Sequence, residues 1–195
     1  MATVVADMSM SLDGFIADPD DSVGSLFDWY FNGDVAVPSR FPQRWTFHTS
    51  KASAEWLRES MDNAGAIVTG RRLFDYTDGW GGTHPWDVPV FVVTHEAPTD
   101  WRRDGFTFVT DGIAAAVAQA SAVAGDRWVG VAGPNVAQQC LDEGLLDLLR
   151  INLVPVLFGE GIRFFDDLAG APYRLEDPVV IEGQSVTHMQ YRVKR

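Results

Sequence analysis

Cysteine is nearly absent from this chain. Cys140 is the only one among 195 residues, so no disulfide can form within the chain and no thiolate metal cluster can be built, which suits a reducing compartment. Basic side chains are scarce too: 15 Lys and Arg against 27 Asp and Glu leave a formal charge of −12. That balance argues against a general nucleic-acid surface and against anionic membranes, so any anionic ligand has to be held by local groups. No apolar stretch approaches the ~20 residues of a membrane-spanning helix. The opening Met-Ala-Thr-Val-Val-Ala-Asp-Met lacks the basic and apolar regions of a secretory signal. A soluble, unprocessed, cytoplasmic protein is expected. Also missing are a G-x-S-x-G elbow, a Walker A sequence and H-E-x-x-H, and His48, His84, His95 and His188 lack metal-ligand spacing. No metal site is expected, and lone histidines are most often structural.

What is present is a series of short buried strands, each followed by a glycine. Trp128–Ala132 is an apolar, β-branched run suited to a strand buried on both faces, and Gly133 supplies the turn. Pro134 fits the first helical position, and Val136, Ala137, Cys140 and Leu141 recur at helical spacing until Gly144. Such a turn leaves backbone N–H groups free at the helix start, where phosphates bind; an ordinary strand-to-helix turn is the alternative. Ala66–Thr69 followed by Gly70-Arg71-Arg72 repeats the arrangement with two guanidiniums. These match phosphate oxygens, or else form a solvated pair answering nearby acids. A third strand, Val90–Thr94, ends at Thr94-His95, a hydroxyl and an imidazole that can bond a ribose or phosphate or merely cap the strand.

Residues 3–10 read as the first strand, broken at Ser11-Leu12-Asp13-Gly14 and resumed by Phe15-Ile16-Ala17. Asp18 to Ser50 is irregular, acidic and then aromatic, with Phe27, Trp29, Tyr30, Phe31, Trp45 and Phe47. It reads as a long lid walling a pocket for a flat heterocycle, or alternatively as a satellite core or dimer contact. Ser50 caps a helix to Asn63, Asp78 to Pro89 is a loop, Phe106–Val109 a strand and Ile113–Val123 a helix. Leu149, Ile151 and Leu153 alternate with Arg150 and Asn152 as in a half-exposed strand. Tyr173–Glu182 and Ser185–Lys194 form a hairpin around Gly183-Gln184. The sum is one α/β domain over residues 1–195, with a mixed, mostly parallel central sheet, helices on both faces and a C-terminal antiparallel hairpin. A nucleotide-like ligand belongs in the crevice at the strand C-termini.

In order along the chain, Ser11-Leu12-Asp13-Gly14-Phe15-Ile16-Ala17, Thr69-Gly70-Arg71-Arg72, Ala132-Gly133 before a helix and Pro155-Val156-Leu157-Phe158-Gly159-Glu160-Gly161 resemble the motifs of the dihydrofolate reductase-like superfamily. More closely, they resemble stand-alone relatives of the C-terminal reductase domain of the bifunctional riboflavin-biosynthesis deaminase-reductase. The resemblance covers nearly the whole chain except residues 18–50. It implies a three-layer fold with NADPH across the C-terminal edge of the sheet. Ile16 and Ala17 would meet the nicotinamide end through backbone groups. Gly70, Arg71 and Arg72 would hold the pyrophosphate or the 2′-phosphate, Thr94 and His95 would lie near the adenosine ribose, and Gly133, Asn135 and Val136 would meet the pyrophosphate. The family's Gly-Gly pair, often joined by a cis peptide, is Ala132-Gly133 here, and Pro134 removes one N–H.

The activity implied is hydride transfer from NADPH to a small flat heterocycle, of the 5-amino-6-(5-phosphoribosylamino)uracil reductase type in riboflavin biosynthesis. A dihydrofolate or pterin reductase and a non-catalytic dinucleotide-binding sensor are the alternatives. A single cysteine excludes a zinc deaminase module with its P-C-x-x-C signature. The candidate proton donor is Asp28, beside Trp29, with water as the alternative, while Asp13 reads as a turn cap. Seven Trp and 12 Phe are many to hide in one domain, and together with the resemblance they predict a homodimer. The other partner is a small-molecule substrate, not nucleic acid or membrane.

Overall fold

Apolar and polar residues alternate along the first strand, and that period of two sorts the whole sheet. The protein is described by a computed structural model covering residues 2–166 and 168–194. In chain order the elements are β1 (Thr3–Ser11), β2 (Phe15–Ala17), a 3-10 turn (Gly24–Tyr30), β3 (Val35–Pro38), β4 (Thr46–Thr49), α1 (Lys51–Asn63), β5 (Ala64–Gly70), α2 (Arg71–Tyr76), α3 (Asp78–Gly81), β6 (Val90–Val93), β7 (Phe106–Val109), α4 (Ile113–Ala124), β8 (Trp128–Ala132), α5 (Pro134–Asp142), β9 (Leu148–Val154), β10 (Ile162–Arg163), β11 (Val179–Gly183) and β12 (Val186–Arg192). Eight strands form the main sheet in the order β11-β12-β9-β1-β8-β5-β6-β7. From β9 to β7 neighbours run parallel, whereas β12 and β11 add an antiparallel edge. The α/β class, the mostly parallel sheet and the closing hairpin are as the sequence predicts.

One face of the sheet is apolar. Val4, Ala6, Ala66, Val68, Val129, Val131, Leu149 and Ile151 meet α4 and α5 through Ile113, Ala116, Val117, Ala120, Val136, Ala137, Cys140 and Leu141. Burying a Val- or Ile-sized side chain contributes about 1.5–3 kcal/mol, which is why this face anchors the fold. Cys140 is sealed within it, its thiol pushed up to about 12 by burial and then by Glu143. The other face is polar in its middle. The register sets Asp7 beside Arg150, Ser9 beside Asn152, and Asn152 beside His188, and these residues lie under α1.

Three local expectations change. The half-exposed strand at Leu149–Leu153 is buried along nearly all its length, Arg150 and Asn152 included, because α1 rather than water covers its polar side. The Asp18–Ser50 lid is largely built into the body. Its 3-10 turn buries Leu26 and Trp29, and the β3–β4 hairpin sets Val35, Val37 and Phe47 against Ala54, Leu57 and Met61 of α1. Within Asp78–Pro89, α3 is a left-handed turn in which φ is positive from Asp78 through Gly82. Non-glycine residues resist that conformation.

Candidate functional site

The centre of the polar face is Asp7. Its Oδ2 accepts from Ser60 Oγ at 3.1 Å and its Oδ1 from Asn152 Nδ2 at 2.9 Å, while Arg150 Nε stands 3.4 Å from Oδ2. Arg150 has no exposed side-chain surface, and its Nη1 lies 3.2 Å from Glu59 Oε2. Neither ion-pair contact is aligned as a hydrogen bond; Nη2 donates to the Trp56 carbonyl at 3.4 Å and the guanidinium carbon sits 3.5 Å over the Trp56 ring. A cation so placed is held by packing as much as by charge. Burial raises the Asp7 carboxyl above its ordinary range, against Arg150, Asn152 and Ser60, which favour the charged form; Glu59 adds to the rise.

Above Asp7 is a cavity of about 150 Å³, lined by Val5, Asp7, Trp29, Tyr30, Trp56, Leu57, Ser60, Ile67, His84, Trp86, Gly130, Val131, Ala132 and Asn152. Four aromatic side chains and one carboxylate on a small apolar cavity suit a single flat ring with a polar edge. Burial and then Asp7 raise the Tyr30 phenol well above its ordinary value, so it stays a donor. Burial lowers His84 to about 3, so it stays neutral. The residues on this floor show in the sequence only as a pattern: alternate polar positions in β1, β9 and β12.

The cavity wall ends at Ala132, and the next residue begins the predicted rim. Gly133 has φ +105, a conformation that side chains resist, and Val136 lies under both Gly133 and Gly70. In the first turn of α5, Pro134 has no N–H, and those of Asn135 and Val136 have no acceptor within the helix. The Asn135 side chain accepts from Gln139 at 2.6 Å. The strand order brings Gly70, Gly133 and the end of β6 at Thr94 to one edge. Thr94 Oγ1 donates to the Glu96 carbonyl at 2.8 Å, and His95 is exposed. Ile16 and Ala17 are buried on β2, whose partner is β10. Both arginines are paired: Arg71 Nε with Asp75 at 2.7 Å, and Arg72 with Asp21 through Nε at 2.8 Å and Nη2 at 2.9 Å. The Ala132–Gly133 peptide is trans.

Asp28 does not line the cavity. In a 3-10 turn, residues three apart share a face, so burying Leu26 and Trp29 turns Asp28 outward. It is exposed and off the cavity wall; Asp7 is the carboxylate on it. Phe27 and Phe31 also point out, at 38% and 64% exposure, while Trp29 and Tyr30 form the wall. Among the described residues no group of His, Cys, Asp and Glu could hold a metal ion, and no helix is long and apolar enough to cross a membrane.

This sheet order, with a carboxylate-bearing cavity beside two glycine turns, defines an α/β domain of the dihydrofolate reductase-like class. The RibD C-terminal domain family matches residues 2–178, and the chain belongs to that family of reductase domains. A relative in Bacillus subtilis strain 168, the uncharacterized protein YwjB, is 22% identical over 162 residues, which span 83% of this chain and 81% of that protein. Among solved structures, a protein from Shewanella sp. PV-4 named for riboflavin biosynthesis matches with a TM-score of 0.72 at 24% identity, each chain covered in full. A Thermotoga maritima diaminohydroxyphosphoribosylaminopyrimidine deaminase/5-amino-6-(5-phosphoribosylamino)uracil reductase matches with a TM-score of 0.62 at 14% identity, over 99% of this chain and 57% of that one. Enterococcus faecalis dihydrofolate reductase, solved with NADP(H), gives 0.57 at 14% identity, over 99% and 97%.

Proposed function

We propose that this protein is an NADPH-dependent reductase that transfers a hydride to a small flat heterocycle, of the 5-amino-6-(5-phosphoribosylamino)uracil reductase type. The observation that carries this reading is the Asp7 carboxylate on an aromatic-walled cavity whose wall continues, through Ala132, into the Gly133 turn. Bound NADPH supplies the hydride. The residues at the sheet edge fit such a ligand: Gly70 and Gly133 leave no Cβ in its way, the first-turn N–H groups of Asn135 and Val136 suit the pyrophosphate, and Arg71 and Arg72 suit phosphate by exchanging their carboxylate partners. Thr94 and His95 suit the adenosine ribose, and the backbone of Ile16 and Ala17 the nicotinamide end.

Asp7 then supplies the proton that balances hydride addition. Its raised pKa keeps a protonated fraction available closer to neutral pH than an ordinary aspartate would. Trp29, Tyr30, Trp56 and Trp86 orient the ring and exclude water. A cavity of about 150 Å³ is the size that encloses a single benzene-like ring, which favours a pyrimidine over a bicyclic pterin. The exposed Val179 and Val180 on the edge strand β11 support a homodimer through that edge, and sedimentation at micromolar concentration is expected to give twice the chain mass. The test of function is NADPH titration followed by cofactor absorbance across ribosylaminopyrimidines, pterins and quinones. Turnover with an aminopyrimidine, abolished in Asp7→Asn while NADPH binding persists, is the expected result. Binding without oxidation across the panel would favour a sensor, turnover of pterins alone a folate-like enzyme, and absence of NADPH binding would overturn the reading.

A further inference from the structure

Against the ionised Asp7, Asn152 has only one orientation that forms a hydrogen bond. An ionised carboxylate accepts and does not donate, so Nδ2 of Asn152 points to Asp7 Oδ1 at 2.9 Å and leaves Oδ1 of Asn152 facing His188 Nδ1 at 2.8 Å. His188 therefore carries its hydrogen on Nδ1. Its Nε2 accepts from Ser53 Oγ at 2.8 Å, and Ser53 Oγ in turn accepts from Ser50 Oγ at 3.0 Å. Every link from the α1 cap to Asp7 has one polarity. His188, Asn152 and Ser53 are buried, and His188 is fixed further by stacking on Trp56 and a T-shaped contact with Trp29, with ring centroids 5.0 Å apart in each case. Gly183 of β11 seals the chain: a Cβ there would collide with Ser53 Oγ and stand 3.2 Å from His188 Nε2.

We propose that His188 is a positioning residue, locking Asn152 in the amide orientation that donates to Asp7 so that this carboxylate is held toward the cavity, and that the bare backbone at Gly183 keeps the lock closed. Its importance for turnover rests on the reading of Asp7 as the working acid, but the lock itself does not. Without His188, Asn152 has no donor on its oxygen and can turn that oxygen toward Asp7, which disfavours the carboxylate. The charged and titratable groups facing this pair are Arg150 from β9, Glu59 from α1, Tyr30 from the 3-10 turn and His84 across the cavity. None of them is altered by the variants below.

The decisive experiment is a pH titration of the Asp7 carboxyl carbon by NMR in the full chain labelled at aspartate, assigned with Asp7→Asn. His188→Phe is expected to raise the midpoint by about one unit, a tenfold change in proton affinity. His188→Gln, which can still donate to Asn152, is expected to stay close to wild type. Gly183→Ala replaces no member of the chain but forces Ser53 Oγ aside, is expected to move the midpoint in the same direction by less, and carries the test if His188→Phe does not fold. A midpoint unmoved in both the His188→Phe and the Gly183→Ala proteins, or moved equally by His188→Phe and His188→Gln, overturns the lock. A shifted midpoint in a protein that leaves NADPH unoxidised with every substrate of the panel leaves the lock standing and removes the reductase reading instead.

Discussion

Beneath the cavity and at its rim the protein handles charge in two different ways. On the floor, the Arg150 side chain is 0% exposed and its neighbours sit on rigid strands and on α1. At the rim, the Arg72 side chain is 69% exposed and its carboxylate partner, Asp21, sits on a loop. Removing one member of a buried set leaves a charge without solvent, whereas exposed pairs are worth ~0–1 kcal/mol and reform with other partners. The floor can therefore set the proton affinity of one group, and the rim can exchange one anion for another. A site that performs proton chemistry while admitting and releasing a charged ligand needs both.

The sharpest way to break the comparison is to put a neutral side chain in place of Arg150. Arg150→Met should lower unfolding free energy by about 3–5 kcal/mol, read from urea denaturation, because Asp7 would lose its buried counter-charge and Trp56 the cation stacked on it. A loss under ~1 kcal/mol would place Arg150 with the rim. Asp7→Asn should also destabilise, because it leaves the buried Arg150 with only the half-exposed Glu59 as counter-charge, and it should in addition lower turnover at least ~10²-fold.

Acid should separate the two regions without mutation. Burial and then Arg150 hold His188 down at about 4, whereas the unfolded chain protonates this ring near pH ~6.5. Between those values the unfolded state binds more protons, so stability rises with pH. The contribution is complete above about pH 6.5 and lost toward pH 4, on the order of 3 kcal/mol. His84 adds the same sign. Asp7, with its pKa raised, does the reverse: from its ordinary value up to its folded one, the folded state holds the extra proton and stability falls as pH rises. His188→Gln should flatten denaturation midpoints between about pH 4 and 6.5, and Asp7→Asn should steepen them. Parallel curves for all three proteins would contradict this account.

The same contrast explains what is legible in the sequence. Helices, strands and glycine turns follow from local patterns, and α1 with its Ser50 cap, α5 with Pro134 and the turn of the closing hairpin lie where those patterns put them, although the hairpin's first arm begins at Val179 rather than Tyr173. The rim is visible because each junction is contiguous: Gly70-Arg71-Arg72 and Gly133-Pro134-Asn135 are single short stretches. The floor is not, because Asp7, Ser53, Asn152 and His188 converge from four separated segments. The alternation of Leu149, Ile151 and Leu153 with Arg150 and Asn152 marks a strand with two unlike faces, but only tertiary packing decides that α1 covers the polar one. Asp28 stands out in the sequence by its place among aromatics, and the three-residue period of the turn carries it outward.

The smallest effect should come from the two rim arginines. Each already has a carboxylate partner, Asp75 for Arg71 and Asp21 for Arg72, and both pairs are exposed, so either alanine variant should leave stability nearly unchanged. Under the proposed function their effect falls on ligand choice. If the pair reads the 2′-phosphate that distinguishes NADPH from NADH, the double alanine variant should weaken NADPH far more than NADH in a fluorescence titration. Asp21→Asn should do the opposite by freeing Arg72 from its competing carboxylate, a modest gain in NADPH affinity that shrinks as salt screens the exposed charges. Equal losses for both cofactors would assign the arginines to the shared pyrophosphate, and no loss for either would leave them as a surface pair answering Asp21 and Asp75.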